Sequence, residues 1–217
     1  MDDCCGTGQA RYAAVFDARF ARSLARRYRR KGLTAPEQRI VDRITAAGVA
    51  DASILEVGGG IGEIQLELLR RGAASTTNLE LSGAYEATAK RLLDELGAAD
   101  RAHRYVGIDL AAGGEHLPAA DHVILHRVVC CYPHAAELLS AAATHARRTV
   151  VFSHPPRTWV VRVEVALGNL LMRLRNREYR GYAHPPADLY AALRSRGLEL
   201  DDVVRAGRWR VVSASRP

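Results

Sequence analysis

Three glycines at alternate positions, Gly58, Gly60 and Gly62, separate a short apolar stretch from an amphipathic one. The apolar stretch, Ser53–Val57, predicts a buried strand, and the segment 63–71 predicts the helix that follows it. A strand, a glycine turn and a helix in this order form the first unit of many nucleotide-binding sheets, where bare backbone lies against the ligand. The turn therefore predicts a ligand site at the end of the first strand, although a glycine-rich turn that holds no ligand is the alternative.

The charges around this turn indicate which ligand it holds. The dinucleotide fingerprint G-x-G-x-x-G, counted from Gly58, needs a glycine where this chain has Glu63. A carboxylate there would repel a pyrophosphate at the helix N-terminus, and Glu56 adds a second negative charge. The run acid-Val-Gly-x-Gly-x-Gly instead resembles motif I of the class I S-adenosylmethionine-dependent methyltransferases. The resemblance implies that Glu56, Gly58, Gly60 and Gly62 bind S-adenosylmethionine, a cofactor with an ammonium, a sulfonium and no phosphate.

Strand-like and helix-like segments alternate after the turn, which is typical of a mostly parallel sheet with helices on both faces. The chain therefore predicts an α/β fold with a Rossmann-like, seven-stranded, mostly parallel sheet. We place the strands at segments 53–57, 75–81, 104–107, 121–125, 149–153, 198–204 and 209–213. The resemblance implies that the last two strands are antiparallel. For 217 residues we expect one domain, with residues 49–217 as its cofactor-binding core.

Residues 1–48 predict an N-terminal arm and helical cap. Residues 1–11 are expected to form a loose arm, followed by a helix over 12–31 that ends at Gly32 and a second helix over 36–47. The first of these helices has an apolar side chain at every fourth position: Tyr12, Phe16, Phe20, Leu24 and Tyr28.

Five further positions lie where strands two, three and four end, which is the ligand edge of such a sheet. Glu80 stands about 20 residues beyond the glycine turn, the distance at which an acid hydrogen-bonds ribose hydroxyls, and the adjacent Leu81 is expected to pack on the adenine. The resemblance places Ile108 and Asp109 beside the adenine, and His126 under the methionine half of the cofactor. As alternatives, Glu80 is a solvated strand-end acid or a helix cap, Asp109 belongs to a simple turn, and backbone contacts satisfy His126.

Beyond motif I the chain resembles the magnesium-protoporphyrin O-methyltransferase group in segments 128–133, 151–158 and 182–184, and in the basic arm around Tyr28. The resemblance implies methyl transfer to a small-molecule acceptor, at a carboxylate or a hydroxyl oxygen. An ionised carboxylate needs no base, and Arg27, Arg127 or Arg157 would orient it. A hydroxyl benefits from a base, and for this role we assign Tyr28, His126 and His154.

The net charge of +7 is concentrated in the basic segment 26–31. Such a run is most often a solvated helix face, but a nucleic acid or an anionic membrane would also suit it. A nucleic-acid methyltransferase is therefore one alternative function, although no Asn/Asp-Pro-Pro-Tyr/Phe motif follows strand four. A non-catalytic cofactor-binding or membrane-surface module is another, because residues 158–177 predict an amphipathic helix. We expect that helix to pack over the sheet or in a dimer, and the protein to be a monomer or a homodimer.

The four cysteines occur as two adjacent pairs, Cys4–Cys5 and Cys130–Cys131. Adjacent cysteines rarely ligate one ion well, so we predict no metal site. The sequence has no apolar export signal and no long apolar run, which favours the cytoplasm and a reduced state of the thiols.

Overall fold

The computed structural model describes residues 11–13 and 15–217 of the chain. Seven strands in this part of the chain form one sheet in the order β3-β2-β1-β4-β5-β7-β6. All pairs from β3 to β5 are parallel, and β7 runs antiparallel to both of its neighbours. The strands are β1 Ser53–Val57, β2 Ser75–Glu80, β3 Ala102–Val106, β4 Ala120–Leu125, β5 Ala146–His154, β6 Glu199–Ala206 and β7 Trp209–Ser215. The predicted fold class is confirmed.

The α-helices cover both faces of this sheet. They are α1 Ala18–Lys31, α2 Ala35–Ala46, α3 Glu63–Arg70, α4 Glu86–Glu95, α5 Leu110–Gly113, α6 Ala135–His145, α7 Trp159–Leu174 and α8 Pro186–Arg194. Helices α1 to α4 contribute to one buried apolar cluster, whereas α5, α6 and α8 contribute to a second cluster. The strand order reverses between β1 and β4, and this reversal opens a crevice beyond the carboxyl ends of the strands.

The N-terminal helix begins later than its apolar stripe predicts. Residues 11–13 form a separate helical turn, and α1 starts after Asp17, whose side chain accepts a hydrogen bond from the Phe20 N–H at 2.8 Å. The predicted start at Tyr12 is wrong because this N-cap ends the preceding turn and starts a new helix. Gly32 ends α1 as predicted, with φ of 67°. Of the loose arm predicted for residues 1–11, residues 1–10 lie outside the described residues.

Helix α7 differs most from its prediction. Its predicted packing face is exposed to solvent, with Trp159 at 76% and Leu167 at 62% exposure. A different stripe, formed by Val161, Val165, Asn169 and Met172, is partly buried against the body of the protein. This face therefore does not pack over the sheet, and packing in a dimer, the other expected arrangement, stays a prediction. None of the helices in the described residues is long and apolar enough to cross a membrane.

Candidate functional site

A cavity of about 1080 Å3, its open mouth included, lies beyond the carboxyl ends of β1, β2, β3 and β4. The glycine turn forms its floor, and Tyr12, Phe16, Phe20 and Leu24 of the N-terminal segment form one wall. Eight of the predicted cofactor residues line it: Glu56, Gly58, Gly60, Glu80, Leu81, Ile108, Asp109 and His126. The ninth, Gly62, is the N-cap of α3 with φ of 84° and is not among the lining residues.

The glycine turn needs its glycines for two reasons. Gly58 and Gly60 have φ of 65° and 55°, and residues with a Cβ atom rarely adopt such positive values. A Cβ on Gly58 would also lie 2.7 Å from Cγ2 of Val128, and one on Gly59 would lie 2.6 Å from the Glu56 carboxyl group. A Cβ on Gly60 would meet only Tyr85 at 3.5 Å, which is ordinary contact. Gly60 is thus the position in the turn where a methyl group would enter the lining without a clash.

Two carboxylates are held at the cavity by backbone hydrogen bonds. Glu80 accepts one from the Gly60 N–H at Oε2 and one from the Ser82 N–H at Oε1, each at 3.0 Å. Burial raises the pKa of Glu80, and these two bonds oppose that shift. Asp109 accepts a hydrogen bond from the Ala111 N–H at 3.0 Å and another from the Tyr132 hydroxyl at 2.9 Å. Both acids therefore have fixed positions on the cavity wall.

Three more acids lie at the inner end of the cavity. Glu56 is 2% exposed, and its Oε2 has no hydrogen-bond partner among the described residues. Burial, and then the neighbouring Glu63, raise the pKa of Glu56 well above its usual value. Burial and Glu37 raise the pKa of Glu63 to about 7. Arg27 lies between these carboxylates, with Nη2 3.2 Å from Glu63 Oε1 and 3.3 Å from Glu37 Oε2. A cation would be favoured in this end of the cavity.

Glu37 is a lining residue that the sequence prediction missed. Its side chain accepts a hydrogen bond from the Thr34 N–H at 2.6 Å, within the capping box that starts α2. That pattern is visible in the sequence, but it indicates a structural role. Only the tertiary fold brings Glu37 next to Glu63.

His126 lies at the cavity as predicted, but its surroundings keep it neutral. Its Nδ1 is 2.9 Å from Ser153 Oγ, and its Nε2 is 3.9 Å from Glu37 Oε1 without a hydrogen-bond partner in the described residues. Burial, and then the charges of Arg127 and Arg27, lower the pKa of His126 to about 3. A neutral imidazole of such low basicity can accept a hydrogen bond but is a weak proton acceptor.

The structure does not bring the other two predicted catalytic residues to this cavity. The Tyr28 hydroxyl accepts a hydrogen bond from Arg70 at 3.1 Å on the far side of α1. His154 is buried, with Nδ1 2.9 Å from the Pro155 carbonyl and Nε2 3.1 Å from the Tyr190 hydroxyl. Neither residue is among the lining residues.

Aromatic side chains of the N-terminal segment cover the cavity instead. Tyr12, Phe16 and Phe20 line it, and their rings follow one another at centroid distances of 6.5 and 6.0 Å. The Tyr12 hydroxyl donates to the Cys131 carbonyl at 2.9 Å, and burial raises its pKa to about 12. Tyr179 adds a fourth ring, 5.5 Å from that of Phe16. The wall of the cavity formed by the N-terminal segment is thus apolar and aromatic.

The thiols of Cys130 and Cys131 lie 3.6 Å apart, and Cys131 also lines the cavity. No group of three or more metal-binding side chains occurs among residues 11–13 and 15–217. Cys4 and Cys5 lie outside the described residues.

No protein-family model and no curated protein matches the sequence. Solved structures match its fold. One is magnesium protoporphyrin IX methyltransferase (ChlM) from Synechocystis PCC 6803 with bound SAH, at a TM-score of 0.70 and 19% identity over 98% of this chain and 96% of that chain. Another is an O-methyltransferase family protein from Burkholderia thailandensis, at a TM-score of 0.70 and 19% identity over 91% of this chain and 58% of that one. A third is the mitomycin 7-O-methyltransferase MmcR, at a TM-score of 0.61 and 22% identity over 82% of this chain and 53% of that chain. The chain therefore has the fold of these methyltransferases.

Proposed function

We propose that this protein is an S-adenosylmethionine-dependent methyltransferase that acts at a carboxylate or hydroxyl oxygen of a small molecule. The observation that carries the proposal is a glycine turn that opens into a cavity walled by the buried acids Glu56, Glu63 and Glu80. Solved structures with this fold support it, since they include O-methyltransferases and one with SAH bound. An acid-lined turn disfavours ligands with phosphate groups and favours ligands with positive charge.

The residues of the cavity fit the proposed cofactor. Glu80 uses one lone pair on each oxygen for the backbone and keeps others for ribose hydroxyls. The unpartnered Oε2 of Glu56 is an acceptor for an ammonium group. Asp109 and Ile108, which follow β3, would border the adenine. When bound, S-adenosylmethionine supplies a methyl group that is electrophilic because it is attached to a sulfonium.

The chain's own contribution to the reaction is to align the acceptor and to exclude water. Correct alignment can lower the barrier by on the order of 7–11 kcal/mol. Tyr12, Phe16 and Phe20 cover the cavity with apolar surface, which keeps water out. Among the residues that line the cavity, His126 orients an acceptor hydroxyl or carboxyl group through Nε2 and does not take its proton. An acceptor oxygen that is already ionised suits this site best, because such an oxygen needs no base.

The basic segment 26–31 offers no specific support for a nucleic-acid substrate. Arg27 is engaged by Glu37 and Glu63, and Arg29 forms two hydrogen bonds with Glu95. These contacts fit a helix face that pairs with the body of the protein.

Calorimetric titration with S-adenosylmethionine tests the proposal. Gly60→Ala is the test variant, and Gly97→Ala is its matched control. Both glycines have positive φ, 55° and 59°, and neither added methyl group would clash, so the two variants should lose similar stability. Only Gly60 lines the cavity. We expect Gly60→Ala to lose cofactor affinity and Gly97→Ala to keep it.

Absence of cofactor binding by the wild-type protein would overturn the proposal. Equal cofactor affinity of the two variants would mean that the glycine turn is not part of the binding site. Where the cofactor binds, transfer of a labelled methyl group to a metabolite extract identifies the acceptor.

A further inference from the structure

Helix α7 presents an apolar face to solvent that no described residue covers. At about 100° per residue, the side chains of this face fall within an arc of about 120°. Its members are Trp159, Val160, Val163, Leu167, Leu170, Leu171 and Leu174, all exposed. A contiguous exposed surface of large apolar side chains on a folded protein marks a contact with a membrane or another molecule.

The helix is fixed to the protein by its opposite side. The Asn169 side chain exchanges two hydrogen bonds with the backbone of Gly181, at 2.9 and 2.8 Å. The next residue, Tyr182, donates from its N–H to the Cys130 carbonyl at 2.7 Å, beside the cavity. The helix that carries the apolar face is therefore fixed to the rest of the protein by hydrogen bonds. The exposure of the face is a property of a packed helix and not of a loose segment.

The charges around the face indicate what it contacts. Segment 157–180 contains six arginines and two glutamates. Arg162 and Arg173 lie along one edge of the apolar arc, and Arg175 and Arg177 follow its C-terminal end. One of the two glutamates, Glu164, is paired with Arg208 at 2.5 Å. An apolar face with a basic border matches the surface of an anionic membrane, where acyl chains receive the apolar side chains and phosphate groups receive the arginines.

A second copy of the chain fits this face less well. In a two-fold antiparallel pairing of the α7 helices, Arg162 of each copy would lie next to Arg173 of the other copy. This contact between two arginines would occur at both ends of the pair. Like charges brought together in this way oppose association.

We propose that α7 is a membrane-docking helix that lies in the interface of an anionic bilayer, with Trp159 and Leu167 inserted among the lipid chains. Trp159 stands at the first position of the helix, and an indole at such a site suits the headgroup level of a bilayer. The inference stands apart from the methyltransferase proposal, because none of its residues lines the cavity.

Sedimentation of the full-length protein with vesicles tests the proposal. The vesicles are phosphatidylcholine alone, and phosphatidylcholine mixed with one-third phosphatidylglycerol. We expect binding to the mixed vesicles to be at least about tenfold tighter, since each arginine near an anionic surface adds to the affinity. High salt should reduce this difference.

Two leucine variants show whether α7 is responsible. Leu167→Glu should weaken binding to the mixed vesicles by about tenfold or more. Leu96→Glu changes an exposed leucine at the end of α4, outside the apolar face, and should bind as the wild type does. Circular dichroism establishes that both variants are folded.

A second measurement detects insertion directly. Lipids with brominated chains should quench Trp159 in the variant Trp209→Phe, and quenching should vanish in Trp159→Phe. No binding to anionic vesicles, or equal binding by Leu167→Glu and the wild type, would overturn the proposal. So would a dimer in light scattering that Leu167→Glu converts to a monomer, because the face would then join two copies.

Discussion

The carboxylate of Glu80 accepts a hydrogen bond from the backbone N–H of Gly60 at 3.0 Å, so the acid that ends β2 holds the middle of the glycine turn. On the other side of the turn, Arg104 donates to the Gly60 carbonyl at 2.8 Å. The turn after β1 is therefore held by two neighbouring strands, β2 and β3, before any ligand arrives. Such preorganisation reduces the free energy that binding must spend on ordering the site.

Replacement of Glu80 by glutamine should weaken both the turn and the ligand site. The amide retains one acceptor oxygen, so one of the two backbone donors loses its partner, and the free energy of unfolding should fall by about 1–2 kcal/mol. Affinity for S-adenosylmethionine should fall about tenfold or more, because charged acceptors bind hydroxyl groups more strongly than neutral ones. Urea unfolding and calorimetry measure the two effects. Glu95→Gln, which changes an exposed acid paired with Arg29, is the control.

Because the pKa of His126 is lowered in the folded protein, acid should reduce the free energy of unfolding through this residue. The folded pKa, about 3, lies below the ordinary value of 6.5, so protons bind the unfolded chain first. The contribution of His126 to stability is complete above about pH 6.5 and is lost as the pH falls towards 3. Between about pH 7 and 5 the loss amounts to about 2 kcal/mol.

Urea unfolding of the wild type and of His126→Gln at these two pH values measures that loss. The glutamine variant should be less sensitive to acid than the wild type by this amount. His134→Gln, at an exposed histidine before α6, should behave as the wild type does. Equal acid sensitivity of the wild type and His126→Gln would show that His126 is protonated in the folded protein.

Glu63 should make cofactor binding stronger as the pH rises through neutrality. Its folded pKa of about 7 means that the carboxyl group loses its proton around neutrality. A positively charged ligand nearby is then attracted more strongly, so the affinity attributable to Glu63 rises between about pH 6 and pH 8. Calorimetry of the wild type and Glu63→Gln across this range measures the contribution by difference. Parallel pH profiles for the two proteins would count against a cation next to Glu63.

Gly58 and Val128 should be energetically coupled. Gly58→Ala places a methyl group 2.7 Å from Cγ2 of Val128 and should destabilise the protein by about 1–3 kcal/mol. Val128→Ala removes the clashing methyl groups, so the double variant should recover part of that loss. The backbone strain at φ of 65° remains in both. A double-mutant cycle in urea provides the coupling energy, and simple additivity would mean that the turn moves to avoid the clash.

The parts of the fold that follow from strong local patterns could be predicted from the sequence. The strand 53–57 and its glycine turn were placed correctly, and α3 ends one residue earlier than predicted, at Arg70. These segments have apolar runs bounded by glycines, so local sequence and tertiary structure agree. The acid at Glu80 followed from its spacing to the turn, and the structure places it at the cavity.

The remaining features depend on tertiary contacts that no local pattern records. Tyr12 and Tyr28 belong to one stripe with a period of four, yet the N-cap at Asp17 divides the stripe. Tyr12 consequently lines the cavity, and Tyr28 packs in the core. Likewise the amphipathic pattern of α7 predicts an apolar face correctly but does not say whether that face packs against the protein or remains exposed.

Arg27 joins three helices through one guanidinium group, since it comes from α1 and contacts Glu37 on α2 and Glu63 on α3. A cationic ligand beside Glu63 would share that carboxylate with Arg27, so ligand charge and the attachment of the cap helices are thermodynamically linked. Linkage acts equally in both directions. Amide hydrogen exchange in α1 should therefore respond to the ligand, and changes in the cap that free Glu63 from Arg27 should in turn alter how tightly the cavity holds a positive charge.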